Sequence, residues 1–347
     1  MKTIRVMIVE DSLVVREHLR RIISADPRFT VVAVAESGEE ALSSIDRVAP
    51  DVITMDIRLP GMQGFDVTRR IMALRPTPIV VVSGLGSEEV SLTMEALKAG
   101  ALAVVEKPVA AAHQDYDAIA SELRTQLAIM SEVKVVRQRG ARAVHVERGP
   151  SSPVMTSYRV LGVATSTGGP VALMQLLSGL GSRFPLPIAI VQHMIPAFLD
   201  GFAEWLNSVS PLPVEVVNGT VPMKPGRVYL AAGDRHLKIE GSFVSADDGP
   251  PVYSHRPAGD VLFSSIAKTV GAAGIGVLLT GMGEDGACGL QELRSAGGFT
   301  LAEDESSAVV YSMPAAAVRL GAVCESLPLT EIARRLCEIV KPGPEAK

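Results

Sequence analysis

The chain has no excess of positive charge, no long apolar run and few cysteines, and each lack removes a class of function. With 33 Lys and Arg against 38 Asp and Glu, the formal net charge is −5. That leaves no electrostatic footprint for nucleic acid and none for a polybasic membrane anchor. No helix-turn-helix pattern or basic face offsets this, so a transcription-factor output is disfavoured. No apolar stretch reaches the roughly 18 residues that a membrane-spanning helix needs. The N-terminal "MKTIRVMIVED" turns acidic too early for a signal peptide. The three cysteines, Cys288, Cys324 and Cys337, are odd in number and lack metal-ligand spacing. A reduced, cytoplasmic setting is therefore expected. Internal repeats and low-complexity tracts are also missing. What remains, 347 residues with 47% apolar and 20% charged content, is ordinary globular composition, long enough for two domains.

Over residues 1–125, short apolar runs rich in β-branched residues alternate with amphipathic stretches. "TIRVMIVED", "TVVAVAE", "DVITMD", "PIVVVSG" and "ALAVVEKP" read as strands buried on both faces of a parallel sheet. The intervening segments, "LVVREHLRRIISA" among them, have helical spacing. Such βα units predict a doubly wound α/β domain whose ligands sit beyond the carboxyl ends of the strands. At those ends lie Glu10, Asp11, Asp56, Ser83 and Lys107. Clustered carboxylates repel one another unless a hard cation joins them, and Mg²⁺ prefers such oxygen ligands. A lysine beside them can pair with a carboxylate or with an incoming phosphoryl oxygen. Asp56 is then a chemically sensible phosphoryl acceptor. Any one of these residues alone reads as a helix cap or a solvated loop side chain; the set at successive strand ends does not.

From about 126 to 157 the helical period gives way to "RQRGARAVHVERGPSSPVM", which has the composition of a solvated linker. Alternation resumes at Tyr158. "YRVLGVATS", "LPIAIVQH" and "GIGVLLTGM" read as strands, with "VALMQLLSGL" and "GACGLQELRSAG" as helices. "GRVYLAAGD" and "HLKIEGSFVSA" between them suggest a small β excursion on an α/β frame.

Ser166, His193 and Asp285 each follow one of these strands, so a mainly parallel sheet would set all three on one crest. A serine hydroxyl needs an adjacent imidazole to take its proton, and the imidazole needs a carboxylate to fix its tautomer. Gly168 and Gly169 permit close approach of a substrate, and amides beside Ser166 and at Met282 could face an oxyanion. A phosphate cradle is the weaker reading, because "ATSTGGP" has neither dinucleotide-type glycine spacing nor a Gly-Lys-[Ser/Thr] triplet. Several choices stay open at this level. Thr165 and Thr167 flank Ser166, His236 and His255 rival His193, and Glu284 and Asp260 compete with Asp285. Cys288, beside this loop, reads as a packed small residue.

The N-terminal segment resembles the receiver domain of two-component response regulators through "VED", "MDIRLPGMQG", "VVSG" and "EKP". Residues 158–341 resemble the catalytic domain of chemotaxis protein-glutamate methylesterases through "STGGP", "QHM", "AGDRHLKI", "HRPAGDVLF", "LTGMGEDGACG" and "YSMPAAA". The resemblance implies a flavodoxin-like receiver with a five-stranded parallel sheet at 1–125, a linker at 126–157, and a doubly wound esterase domain at 158–341. It also implies Asp56 as phosphoacceptor, Glu10, Asp11 and Asp56 as the Mg²⁺ site, and Ser83 and Lys107 as phosphoryl contacts. In the second domain it implies Ser166 as nucleophile, His193 as base, Asp285 as orienting acid, and the Thr167 and Met282 amides as oxyanion donors, with no cofactor for the ester reaction. The expected substrates are methyl esters on glutamate side chains of chemoreceptor helices, with methanol released; receptor glutamines are a further possible substrate. A chemotaxis histidine kinase is the expected phosphodonor, and neither nucleic acid nor membrane insertion is expected. The receiver is expected to cover the Ser166 crest until Asp56 is phosphorylated. The different-class alternative is a partner-binding output domain without catalysis. Two departures stand out: Val104 replaces the aromatic that receivers usually carry before their Lys–Pro pair, and Ala164–Thr165 replaces the usual Gly–Ala before "STGG".

Overall fold

A computed structural model describes residues 3–108, 113–133 and 158–340. The chain divides into two compact units, Met1–Val144 and His145–Lys347. Most of the expected linker, from residue 134 to 157, lies outside the described residues.

The first unit runs β1 (Ile4–Val9), α1 (Leu13–Ser24), β2 (Phe29–Ala35), α2 (Gly38–Val48), β3 (Val52–Asp56), α3 (Gly64–Leu74), β4 (Ile79–Ser83), α4 (Ser87–Lys98), β5 (Ala103–Glu106) and α5 (His113–Glu132). Helix α5 thus continues into the span read as linker. The strands form one sheet in the order β2-β1-β3-β4-β5, all parallel. Successive βα units require helices on both faces, which is why β3 and β4 are buried at every residue. β2 and β5 differ from the expectation of burial on both faces: they are the sheet edges, and much of each is only half-buried. Apolar content alone does not separate an edge strand from a central one. Helix α1 turns Val15, Leu19, Ile22 and Ile23 toward the sheet at helical spacing. Helix α2 begins at Ser37, whose side chain accepts the Glu40 amide at 3.2 Å while the Glu40 carboxylate reaches back to the Glu36 amide.

The second unit runs β6 (Val160–Thr165), α6 (Gly169–Leu180), β7 (Ile188–Gln192), α7 (Pro196–Val209), β8 (Val214–Val217), β9 (Thr220–Pro222), β10 (Val228–Ala231), β11 (His236–Glu240), β12 (Phe243–Asp247), α8 (Gly259–Val270), β13 (Gly274–Leu278), α9 (Ala287–Ser295), β14 (Phe299–Glu303), α10 (Ser312–Arg319), β15 (Glu325–Leu327) and α11 (Leu329–Ile339). Seven strands make a parallel sheet in the order β15-β14-β13-β6-β7-β10-β8, and β11-β12-β9 form a small antiparallel sheet, the expected β excursion. The chain builds outward from β6 through β7 on one side and later through β13 on the other. The carboxyl ends of β13, β6 and β7 therefore flank the point where the winding reverses, where open α/β sheets bind ligands. All three strands are fully buried, and helix α8 packs Leu262, Phe263 and Ile266 into the core beneath that point.

Candidate active site

In the first unit, the ends of β1 and β3 bring Glu10, Asp11 and Asp56 together, with one carboxylate oxygen of each within 4.8 Å of the others. Asp56 and Glu10 are buried and Asp11 is exposed. Lys107, just past β5, puts its Nζ 2.8 Å from Asp56 Oδ1 and 3.5 Å from Glu10 Oε2. Burial, then the neighbouring Asp56 charge, pushes Glu10 up to about 7, although Lys107 and the Ser12 amide oppose this. Asp56 is also held above the usual carboxylate range, again chiefly by burial. Asp56 Oδ2 is buried with no hydrogen-bond partner among the described residues, and Glu10 Oε2, also buried, makes no hydrogen bond there beyond its 3.5 Å ion pair with Lys107. Such unsatisfied anionic oxygens fit a hard divalent cation, which would restore the ionised forms. Ser83 ends β4; its hydroxyl accepts the Thr93 hydroxyl at 2.9 Å and donates to the Gly84 carbonyl at 3.2 Å. Val104 lies half-buried on the edge strand β5.

In the second unit, Ser166, His193 and Asp285 come to neighbouring strand ends. Ser166 sits in the turn between β6 and α6, and His193 directly follows β7; its amide donates to the Thr165 carbonyl at 3.0 Å. Asp285 lies in the loop after β13, 2% exposed. His193 Nε2 is 2.8 Å from Asp285 Oδ2. The same Asp285 oxygen accepts the Gly259 amide at 2.6 Å, and Oδ1 accepts the Asp260 amide at 3.1 Å. Burial works to raise the Asp285 carboxyl, but the His193 bond and charge and these two amides outweigh it, so it stays below the usual range. His193 Nδ1 is buried without a hydrogen-bond partner among the described residues. The imidazole thus spends Nε2 on the carboxylate and keeps Nδ1 as its unused nitrogen.

The competing residues separate on geometry. The Thr165 hydroxyl is buried and donates to the Thr280 carbonyl at 2.8 Å; Thr in place of the usual Ala gives the turn an extra tie. Ser166 is half-buried in the turn. The Thr167 and Met282 amides donate to no acceptor among the described residues, and Met282 is 39% exposed. Glu284 pairs with Arg319 at the surface at 2.7 Å. Asp260 accepts the Gly289 amide at 2.7 Å, and burial pushes its carboxyl up to about 6. His236 is buried and fully engaged: Nε2 meets the Pro250 carbonyl at 3.0 Å and Nδ1 accepts the Ala258 amide at 3.2 Å. His255 stacks face to face on His193.

Three residues that carry the turn stand outside the candidates read from sequence: Gln192 and Glu303, the last residues of β7 and β14, and Thr280, just past β13. Gln192, 3% exposed, donates to both the Ser166 carbonyl at 2.9 Å and the His193 carbonyl at 2.8 Å. Thr280 accepts the Ser166 amide on its carbonyl at 3.0 Å and donates its hydroxyl to the Thr167 carbonyl at 2.9 Å. Glu303, at the end of β14, accepts the Thr280 amide at 2.8 Å and the Ser307 hydroxyl at 3.0 Å; burial pushes its carboxyl up to about 7. Two glycines permit this packing. Gly168 takes φ +80° to enter α6, and a Cβ on Gly281 would meet Ser166 Cβ at 2.8 Å.

Fold and strand-end sites together define a class: a receiver unit joined in one chain to a hydrolytic unit built on a parallel α/β sheet. The chain belongs to the CheB methylesterase family, which it matches over residues 161–336, preceded by a response regulator receiver domain over 6–115. It is 47% identical to a protein-glutamate methylesterase/protein-glutamine glutaminase of Paramagnetospirillum magneticum, with 99% of each chain covered. A relative of the same designation from Myxococcus xanthus is 44% identical, with 96% of each chain covered. Among solved structures, the Thermotoga maritima CheB methylesterase catalytic domain is 36% identical at a TM-score of 0.51, covering 53% of this chain and 100% of that domain.

Proposed function

We propose that this chain is a phosphorylation-regulated hydrolase that removes methyl esters from glutamate side chains of chemoreceptors through Ser166, His193 and Asp285. The observation that carries the reading is the 2.8 Å His193–Asp285 contact with His193 Nδ1 left unused, at the end of the strand paired with the one that leads into the Ser166 turn. Ser166 Oγ attacks the ester carbonyl while His193 Nδ1 takes its proton; Asp285 stabilises the resulting imidazolium. The Thr167 and Met282 amides face the oxyanion. The tetrahedral adduct then expels the methoxy group, which takes the proton back from His193 and leaves as methanol. Water, deprotonated by the same histidine, cleaves the glutamyl ester on Ser166. A receptor glutamine enters the same sequence with ammonia as the leaving group.

In the receiver, Asp56 takes the phosphoryl group from a chemotaxis histidine kinase, and Glu10, Asp11 and Asp56 would hold Mg²⁺. The cation supplies charge neutralisation that lets an anionic phosphoryl group approach a carboxylate. Lys107 offers its ammonium to Asp56 and to the arriving phosphoryl oxygens, and Ser83 offers its hydroxyl. The test is methanol release from methylated receptor cytoplasmic fragments, with and without a phosphodonor. Release that disappears in Ser166→Ala and no longer rises with phosphodonor in Asp56→Asn supports the reading. Wild-type release that survives Ser166→Ala refutes it.

A further inference from the structure

His255 presents its ring to His193 with centroids 4.0 Å apart and planes 10° from parallel. Such a stack covers one face of the imidazole and opposes its rotation away from the Asp285 bond. The segment that carries His255 is held unusually firmly. Val252 and His255 exchange both backbone hydrogen bonds, at 3.0 and 2.8 Å, around a turn whose two central residues, Tyr253 and Ser254, take φ of 48° and 65°. Hairpin turns of this form normally use glycine, asparagine or aspartate, so tyrosine and serine there store backbone strain. Beyond the turn, Arg256 forks onto both oxygens of Asp234 at 3.0 and 2.7 Å. His236 ties down both ends of the segment through the Pro250 carbonyl and the Ala258 amide. The next residues along, Gly259 and Asp260, supply the two amides that hold Asp285. One pinned segment therefore touches both the base and its carboxylate.

We propose that His255 is a positioning residue for the esterase reaction, acting as a flat stacking plate that holds the His193 ring on Asp285 with Nδ1 turned for proton transfer. This rests on the Ser166–His193–Asp285 reading. His255 does not act as the base: the Asp285 carboxylate is bonded to His193 and to the Gly259 and Asp260 amides instead. The charged or titratable groups it senses are His193 and Asp285. Burial and then His193 hold its own proton affinity below the ordinary histidine range, against the pull of Asp285. The ring therefore resists taking up a proton, and with it a positive charge, against the imidazolium that His193 becomes. The shape of the ring is what the proposal requires, not its nitrogens.

The test compares His255→Ala, His255→Phe and His255→Leu with Ser166→Ala in the full-length protein. Steady-state methanol release is read together with the labelling rate of Ser166 by an alkyl fluorophosphonate and with thermal melting. Removing the plate should lower kcat by roughly 10- to 100-fold, the scale of a small misplacement of a catalytic group. KM should stay within about twofold, because no substrate contact is lost. Phe should restore most of kcat and of the labelling rate, and Leu should not. A His255→Ala protein with wild-type kcat, or Phe and Ala variants equally impaired, overturns the proposal while leaving the triad standing. Methanol release that persists in Ser166→Ala overturns the triad and the proposal together. If the Ala variant melts below the assay temperature, the contrast between Phe and Leu variants decides in the same way.

Discussion

Replacing Asp285 with Asn tests the electrostatics of the site, and the hydrogen bonds predict how the amide will sit. Asp285 Oδ2 accepts two donors, the Gly259 amide at 2.6 Å and His193 Nε2 at 2.8 Å, while among the described residues Oδ1 accepts only the Asp260 amide at 3.1 Å. An asparagine will turn its oxygen toward the two donors and leave its NH₂ facing one amide. The histidine tautomer is thus preserved, and what disappears is the negative charge opposite the imidazolium. At 2.8 Å and an effective dielectric near 20, a full charge pair is worth about 6 kcal/mol, and the neutral hydrogen bond that remains recovers about 1 kcal/mol of it. Partial charge development in the transition state lowers the expected loss to about 3–5 kcal/mol, a fall in kcat of roughly 10²- to 10⁴-fold with KM little changed. Stopped assays of methanol release on methylated receptor fragments measure this directly, with thermal melting to confirm the fold. A kcat within about tenfold of wild type would refute the reasoning. It would mean that His193 does not become charged in the rate-limiting step, or that another base acts.

Other outcomes follow from the same contacts. Gln192→Met keeps the volume but loses both donors that bind the Ser166 and His193 carbonyls, so kcat should fall by about tenfold or more, as expected for two lost buried hydrogen bonds; unchanged kinetics would remove Gln192 from the account. Glu303 has a folded-state carboxyl raised from 4.5 to about 7. The unfolded chain therefore releases this proton first, and the group destabilises the fold progressively as pH rises from about 4.5 to 7, by roughly 3 kcal/mol in all. Glu303→Gln should flatten that part of the urea-derived stability profile, and an unaltered slope would contradict the burial argument. Chelating divalent cations should abolish phosphorylation of Asp56 by a small acyl phosphate while leaving unstimulated esterase activity intact. Phosphorylation that survives chelation would contradict the reading of Glu10, Asp11 and Asp56 as cation ligands.

Much of this architecture was legible because strand-end chemistry is local. Apolar β-branched runs that stop at Glu10, Asp56, Thr165 and Gln192 announce parallel strands, and the polar residue after each run announces a crest. β2 and β5 carry the same apolar signal as the central strands yet are only half-buried along much of their length, since edge and centre differ only in what pairs beside them. Helix α11 buries Leu329, Ile332, Ala333 and Leu336 at helical spacing. The roles of the supporting residues were not legible, even where a strand end placed them. Gln192 and Thr280 look like ordinary polar residues until folding brings them to the Ser166 turn. Glu303 has nothing local to mark it, yet it is 1% exposed and bonded to a residue 23 positions away. His236 and His255 were both reasonable bases by sequence. Only the closure of the segment between them separates a histidine saturated by backbone groups from one laid flat against His193. Composition carries residue types, whereas these roles depend on contacts made across the sheet.

The measurement that bears most directly on the central claim is the identity of the covalent intermediate. A methylated receptor fragment should be mixed with the protein, quenched in acid within a single turnover, and the digest read by mass spectrometry. The account predicts a glutamyl adduct on the peptide bearing Ser166, absent in Ser166→Ala and accumulating when deacylation is slowed. Methanol formed with no adduct at any time, or an adduct on Thr165, Thr167 or Cys288 instead, would contradict it.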